Sequence, residues 1–123
     1  MAEFTIVKGP QGAPYSSAVV AGNIVFLAGT MGNDPESGKF ADNIAEQADH
    51  CLRNLSSIAQ QAGVKLSDIV SATVYLTNFE RDFGTFNQVW MRYFPESPPT
   101  RATVEVSALA PSALIEIQAI AVV

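Results

Sequence analysis

The fold is decided by residues 43–76, which read NIAEQADHCLRNLSSIAQQAGVKLSDIVSATVYL. Asn43, followed three residues later by Glu46, is typical of a helix N-cap with a capping box. Apolar residues then recur at alternating steps of four and three until Gly63, a common helix stop; they are Ile44, Ala48, Cys51, Leu55, Ile58 and Ala62. Residues 69–76 are rich in β-branched side chains and predict a buried strand. This stretch therefore predicts an amphipathic helix that packs on a sheet.

The flanking sequence completes a pattern of three strands, helix, strand, helix and two strands. Strands are predicted at residues 4–7, 15–20 and 23–28, the last two joined by a tight turn at Ala21-Gly22. Further along, we predict a helix over 80–94 with an aromatic face, a strand over 101–107 and a final strand over 114–123. Because one sheet must bury two amphipathic helices, the pattern indicates an α+β fold, a mixed sheet with both helices on one face.

The composition fits a single domain, residues 1–123, that associates with copies of itself. Only 15% of its residues are charged, against about 25% in an ordinary soluble domain. The second face of the sheet has no helices left to cover it, so we expect subunit contacts through this bare face. The net charge of −5 weighs against nucleic acid as a partner, because nucleic-acid binders carry a basic patch.

The sequence lacks the motifs of the common cofactor, metal and membrane sites. Its one cysteine, Cys51, and one histidine, His50, cannot supply the four ligands of a structural zinc site. Apolar runs stay short of the about 18 residues of a membrane span, and glycine-rich nucleotide loops are missing. We expect a cytoplasmic protein with no metal, organic cofactor or membrane partner, in which Cys51 is a core residue and His50 is exposed.

A few polar residues stand where the pattern favours apolar ones. Glu116 interrupts the apolar final strand, and burying a carboxylate is costly unless it is paired or hydrogen-bonded. Arg101 begins a strand whose alternation puts Thr103, Glu105 and Ser107 on the same side. Asn87 lies among the helix aromatics, and Tyr15 begins a strand; Asn87 either satisfies a loop backbone or faces a pocket. Each also has an ordinary structural interpretation, so the residues alone make Arg101 and Glu116 the main candidates.

Four segments resemble the YjgF/RidA family of enamine and imine deaminases. They are residues 14–16 (PYS), 34–38 (DPESG), 99–106 (PTRATVEV) and 114–121 (LIEIQAIA), and the resemblance extends over nearly the whole chain. It implies a chorismate-mutase-like fold and a homotrimer whose ligand clefts lie between neighbouring subunits. It also implies a small 2-imino or 2-keto acid as ligand and no cofactor.

The resemblance implies a role for each matching residue. Arg101 matches the arginine that binds the carboxylate of the 2-imino or 2-enamino acid, and Glu116 matches the glutamate that activates water. Tyr15 and Asn87 match pocket residues, and Gly29 matches a backbone position beside the ligand. Thr103, where many members have cysteine, is expected to contact the substrate.

The chain departs from the family pattern at Ala28, which replaces a serine, and at Ala13, which replaces a glycine. These departures leave the substrate open, and two alternatives remain. Beside a deaminase that acts on reactive 2-imino and 2-enamino acids in general, the chain could be a non-catalytic trimer that binds small carboxylates. It could also be a deaminase for one larger enamine, similar to an aminoacrylate or an aminomuconate.

Overall fold

The computed structural model describes residues 3–123. Within them, three strands precede the first helix, a fourth strand precedes the second helix, and two more strands follow it. The bounds are β1 Phe4–Lys8, β2 Ser16–Ala21, β3 Ile24–Met31, α1 Ile44–Gln61, β4 Ile69–Leu76, α2 Phe79–Tyr93, β5 Thr100–Glu105 and β6 Ile115–Val122, with a 3₁₀ turn at Leu66–Asp68. The predicted order of elements and the α+β class are therefore confirmed.

The strands form one mixed sheet in the order β1-β2-β3-β6-β4-β5. Neighbours are antiparallel except β4 and β5, which are parallel. A parallel pair needs a crossover connection, and α2 supplies it. This topology puts β6 inside the sheet and β5 at its edge.

Both helices cover the same face of the sheet. Asn43 caps α1 by accepting a hydrogen bond from the Glu46 backbone N–H at 2.9 Å, and the Glu46 carboxylate accepts from the Asn43 side-chain amide at 2.8 Å. Buried positions alternate along β4 and β6, as expected when one face meets a core. One cross-strand row of this covered face runs Ala18, Leu27, Ala119, Ala72 and ends at Arg101 on the edge strand.

The opposite, bare face carries exposed apolar side chains. One row, read from the strand register, runs Ile6, Val19, Phe26 and Ile120. Ile6 is 58% exposed and Phe26 is 46% exposed. A contiguous apolar patch on a small chain marks an interaction surface. The bare face is thus present as predicted, while self-association through it stays a prediction.

The differences from the predicted elements are local. The third strand was predicted to end at residue 28, but β3 continues to Met31 through a bulge. The strand predicted over 101–107 ends at Glu105, so Ser107 lies outside it and does not share the face of Arg101. No helix within residues 3–123 is long and apolar enough to span a membrane.

The Gln47 side chain holds the segment before β6 in place through hydrogen bonds. It is fully buried, donates to the carbonyl oxygens of Ala41 and Ser112 at 2.6 and 2.8 Å, and accepts from the Leu114 N–H at 2.8 Å. Ser112 has a φ of 69°, a left-handed conformation that costs free energy for a residue with a side chain. Gln47 therefore stabilises a strained turn just before the strand that carries Glu116.

We expect Gln47→Ala to lower the free energy of unfolding by about 3 kcal/mol, because it leaves buried backbone groups without partners. Urea denaturation measures the loss, with Gln60→Ala, an exposed position on the same helix, as the control. Equal midpoints for the two variants would show that Gln47 does not hold the turn.

Candidate functional site

The guanidinium group of Arg101 lies against three aromatic rings of α2. Its guanidinium carbon lies 5.0 Å from the ring centroids of both Phe86 and Trp90 and 5.8 Å from that of Phe83. These distances are within the range of cation–π attraction. Burial lowers the pKa of Arg101, but an arginine stays charged at neutral pH. Within residues 3–123 the one ion pair joins Arg81 to Asp82. Arg101 therefore has no carboxylate partner among the described residues.

Asn87 is the polar neighbour of this cation. Its Oδ1 accepts a hydrogen bond from an Arg101 terminal nitrogen at 2.7 Å, so Asn87 follows the second of its two predicted alternatives and faces a pocket. Arg101 and Asn87 open together into a cavity of about 440 Å³ whose other lining residues are Trp90, Met91, Phe94, Pro98 and Pro99. The cavity combines one charged group with an apolar wall.

Thr103 lies two residues from Arg101 on the same face of β5. The two pair with Val74 and Ala72 of β4, which are both buried under the helices. The Thr103 hydroxyl is buried and finds no hydrogen-bond partner among the described residues. Such an orphan group is rare in folded proteins and points to a missing partner.

Glu116 lies on the bare face. Its cross-strand neighbours are Met31 on β3 and Tyr75 on β4, whereas Ile115 and Ile117 on either side of it are fully buried on the covered face. The side chain is half-buried, and no salt bridge within residues 3–123 involves it. The carboxylate is thus positioned in the sheet without a cation of its own chain.

Gly29 lies on β3 and Tyr15 just before β2, both on the far side of β6 from Arg101. Gly29 lies in the β3 bulge directly against the Glu116 side chain. Gly29 and Tyr15 both line a cavity of about 280 Å³ between β3, the start of β2 and α1. Tyr15 is 55% exposed, which leaves its ring available to a ligand or a second chain.

Asn54 supports the same cavity and was not identified from the sequence. Its side-chain amide donates to the carbonyl oxygens of Met31 and Asn33 at 3.1 and 2.8 Å. The hydrogen bonds fix the chain just after Gly29. An amide in the middle of a helix next to the apolar stripe was the available sequence signal, because such residues usually cap or bond a nearby backbone.

The structure therefore brings the predicted site residues together in two separate groups, which we call half-sites. Arg101, Asn87 and Thr103 form the clamp half-site on the covered face. Tyr15, Gly29 and Glu116 form the carboxylate half-site, with Glu116 on the bare face. Strand β4 separates β5 from β6, and Arg101 pairs with Ala72 of β4 whereas Glu116 pairs with Tyr75, three residues further along. The two backbones are therefore about 10 Å apart across the sheet and about 10 Å apart along it, and the side chains point in opposite directions.

The two other residues that the sequence singled out lie outside both half-sites. Cys51 is fully buried, its Sγ donates to the Thr30 carbonyl oxygen at 3.1 Å, and burial raises the pKa of its thiol. It is the core residue that was predicted. His50 is half-buried with its Nδ1 enclosed, so the prediction of an exposed histidine was wrong. The described residues bring no three His, Cys, Asp or Glu side chains together as a metal site.

Comparisons with known proteins show similarity over nearly the whole chain. Residues 8–123 match the protein family described as Endoribonuclease L-PSP. A RutC family protein of Pyrococcus abyssi is 44% identical over 109 residues, 88% of this chain and 85% of that protein. The 2-iminobutanoate/2-iminopropanoate deaminase of Bos taurus is 40% identical over 110 residues, 89% of this chain and 80% of that protein. A crystal structure of a Mycobacterium tuberculosis member of the YjgF/YER057c/UK114 family superposes with a TM-score of 0.86 at 34% identity and covers 98% of this chain and all of that one.

Proposed function

Because the chain belongs to the YjgF/RidA family, we propose that it hydrolyses small 2-imino and 2-enamino acids to 2-keto acids and ammonia. The bovine relative is named for this activity on 2-iminobutanoate and 2-iminopropanoate. The observation that carries the proposal is Arg101, a partly buried cation that faces a cavity and has no carboxylate partner within residues 3–123. Such a cation favours an anionic ligand.

The clamp half-site suits the carboxylate of a 2-imino acid. A guanidinium presents parallel N–H donors that match the two oxygens of a carboxylate. Asn87 accepts a hydrogen bond from one terminal nitrogen of Arg101. This bond fixes the plane of the guanidinium group against the rings of Phe86 and Trp90. The orphan hydroxyl of Thr103 supports its assignment as a further ligand contact.

The proposed reaction needs Glu116 beside the substrate that Arg101 binds, and this requires a second chain. The bare face that carries Glu116 is the face proposed for self-association. A neighbouring subunit docked there would bring its own Arg101 toward this Glu116. The family resemblance gives the number of subunits as three, and a cyclic trimer would then contain equivalent clefts.

The chemistry in the shared cleft is an addition followed by an elimination. Arg101 holds the carboxylate, which places the adjacent C=N carbon near a water bound to Glu116. Glu116 accepts a proton as the water oxygen bonds to that carbon. Glu116 returns this proton to the imine nitrogen, which gives the carbinolamine. The carbinolamine hydroxyl then passes its proton through Glu116 to the nitrogen as the C–N bond breaks, so the oxygen becomes the carbonyl and ammonia leaves. One imine and one water yield one 2-keto acid and one ammonia; an enamine first tautomerises to its imine.

The proposal is tested by the rate of imine loss. An amino-acid oxidase generates the 2-imino acid in situ, semicarbazide traps what remains, and a reaction without the protein gives the spontaneous rate. We expect the protein to lower the trapped fraction for small aliphatic imines. If several imines are lost at the spontaneous rate while pyruvate still binds, the trimer is a carboxylate-binding module, the alternative reading of the same half-sites.

A second substrate class is suggested by the description of the matching family as an endoribonuclease. The net charge of −5 weighs against it, because RNA binding depends on contacts from Lys and Arg to phosphates. Neither half-site contains a lysine, and the one arginine is Arg101.

We expect light scattering to give a mass of about 39 kDa, three chains of 13.1 kDa. Phe26→Asp places a charge in the apolar row of the bare face and should shift the mass toward the monomer. Lys39→Asp, at an exposed position in a turn, is the control. A monomeric mass for the unmodified protein at micromolar concentration would contradict both the trimer and the shared cleft.

A further inference from the structure

Gly29 lies closer to the Glu116 carboxylate than any residue with a side chain could. A Cβ built on Gly29 would be 2.8 Å from Glu116 Oε2 and 2.9 Å from its Cδ. Gly29 is not among the glycines with a positive φ, so its backbone conformation does not require glycine. Glycine is required instead by the close approach of the Glu116 carboxylate.

The bulge in β3 creates this approach. Leu27 pairs with Ala119 and Thr30 with Ile117, so Ala28 and Gly29 together oppose Gln118 alone. A β-bulge changes the direction of the strand locally and often lies next to an active site. Here it turns the bare Cα of Gly29 toward the Glu116 side chain.

The backbone on either side of Gly29 is held in place. The Thr30 hydroxyl donates to the Ala28 carbonyl oxygen at 3.1 Å, and Thr30 itself is buried. On the far side, Asn54 binds the Met31 carbonyl oxygen. A methyl group added at residue 29 would therefore displace the flexible end of Glu116 rather than the strand.

We infer that Gly29 is a positioning residue for Glu116: its missing side chain leaves a slot on the bare face that holds the carboxylate in place. This inference rests on the proposed function, because the slot matters for turnover only if Glu116 activates water. The slot fixes the carboxylate relative to the sheet and so relative to the neighbouring subunit's clamp half-site.

Gly29→Ala is the direct test. We expect kcat to fall about 10- to 100-fold, since an ångström of misplacement has effects of this size. The affinity for pyruvate should stay within about threefold, because the clamp half-site is untouched. The unfolding midpoint should be unchanged. Gly84→Ala is the matched control, because a Cβ there meets no atom within 4 Å.

A double-mutant cycle separates positioning from direct ligand contact. In a Glu116→Ala background the slot is empty and turnover is almost lost, so the readout is the affinity for pyruvate, which adding Gly29→Ala should leave unchanged. An equal loss of pyruvate affinity in both backgrounds would show that residue 29 contacts the ligand and would overturn the inference.

A second readout does not depend on hydrolysis. The ¹³C signal of the Glu116 carboxylate, assigned by its loss in Glu116→Gln, reports the surroundings of the carboxylate through its chemical shift. We expect Gly29→Ala to change this chemical shift and Gly84→Ala to leave it unchanged. An unchanged chemical shift in Gly29→Ala would overturn the inference whether or not the protein hydrolyses imines. A changed shift in a protein that hydrolyses no imine would support the slot and reject the proposed function.

Discussion

Glu116→Gln is expected to lower kcat by about 100-fold or more while 2-keto acid binding persists. Glutamine keeps the length and shape of the side chain but has no basic oxygen to accept the proton of water. Removal of a general base usually costs 10²- to 10⁴-fold. Binding should survive because Arg101, which holds the carboxylate, lies on the other face of the sheet.

The measurement is imine loss with semicarbazide trapping, together with calorimetric titration of pyruvate. Glu36→Gln, which makes the same change of charge in an exposed turn, is the control and should retain full activity. Near-normal activity in Glu116→Gln would remove Glu116 from the mechanism and leave it as a strand residue of the bare face.

Arg101→Lys is expected to weaken pyruvate binding by about 10-fold or more although the positive charge is kept. An ammonium group has no planar fork, so it cannot make two parallel hydrogen bonds to a carboxylate. It also cannot stack flat against Phe86 and Trp90 while bonded to Asn87. Calorimetry measures the affinity, with Arg92→Lys, in an exposed position of α2, as the control. Equal affinities for Arg101→Lys and the unmodified protein would show that Arg101 is not the carboxylate clamp.

Periodicity predicted the helices and the central strands because burial on one face repeats along each of them. The strand predicted over 69–76 matches β4 residue for residue, since its β-branched run ends cleanly on both sides. The bare face was predicted because both helices are needed on one face of the sheet, which leaves none to cover the other face. Arg101 and Glu116 stood out because a charge in an apolar strand needs an explanation.

What periodicity could not predict depends on register and on long-range contacts. The opposite faces on which Arg101 and Glu116 lie follow from the pairing of β4 with β5 and of β4 with β6, which no single segment of the sequence shows. The β3 bulge depends on its pairing with β6, and no local pattern marks it. Gln47 binds a turn 65 residues away, so its sequence neighbours give no reason for its burial.

The central claim is that each site combines Arg101 of one chain with Glu116 of another, and mixing two inactive variants tests it. Arg101→Ala and Glu116→Ala chains are unfolded, mixed in equal amounts and refolded together, beside each variant refolded alone. A shared site is intact when its Arg101 and its Glu116 are both unmodified. Random assembly of the two variants gives this combination in about a quarter of the sites. We predict about a quarter of the unmodified activity in the mixture and almost none in either variant alone. No recovery in a mixture shown to contain mixed oligomers would contradict the shared site and place both groups within one chain.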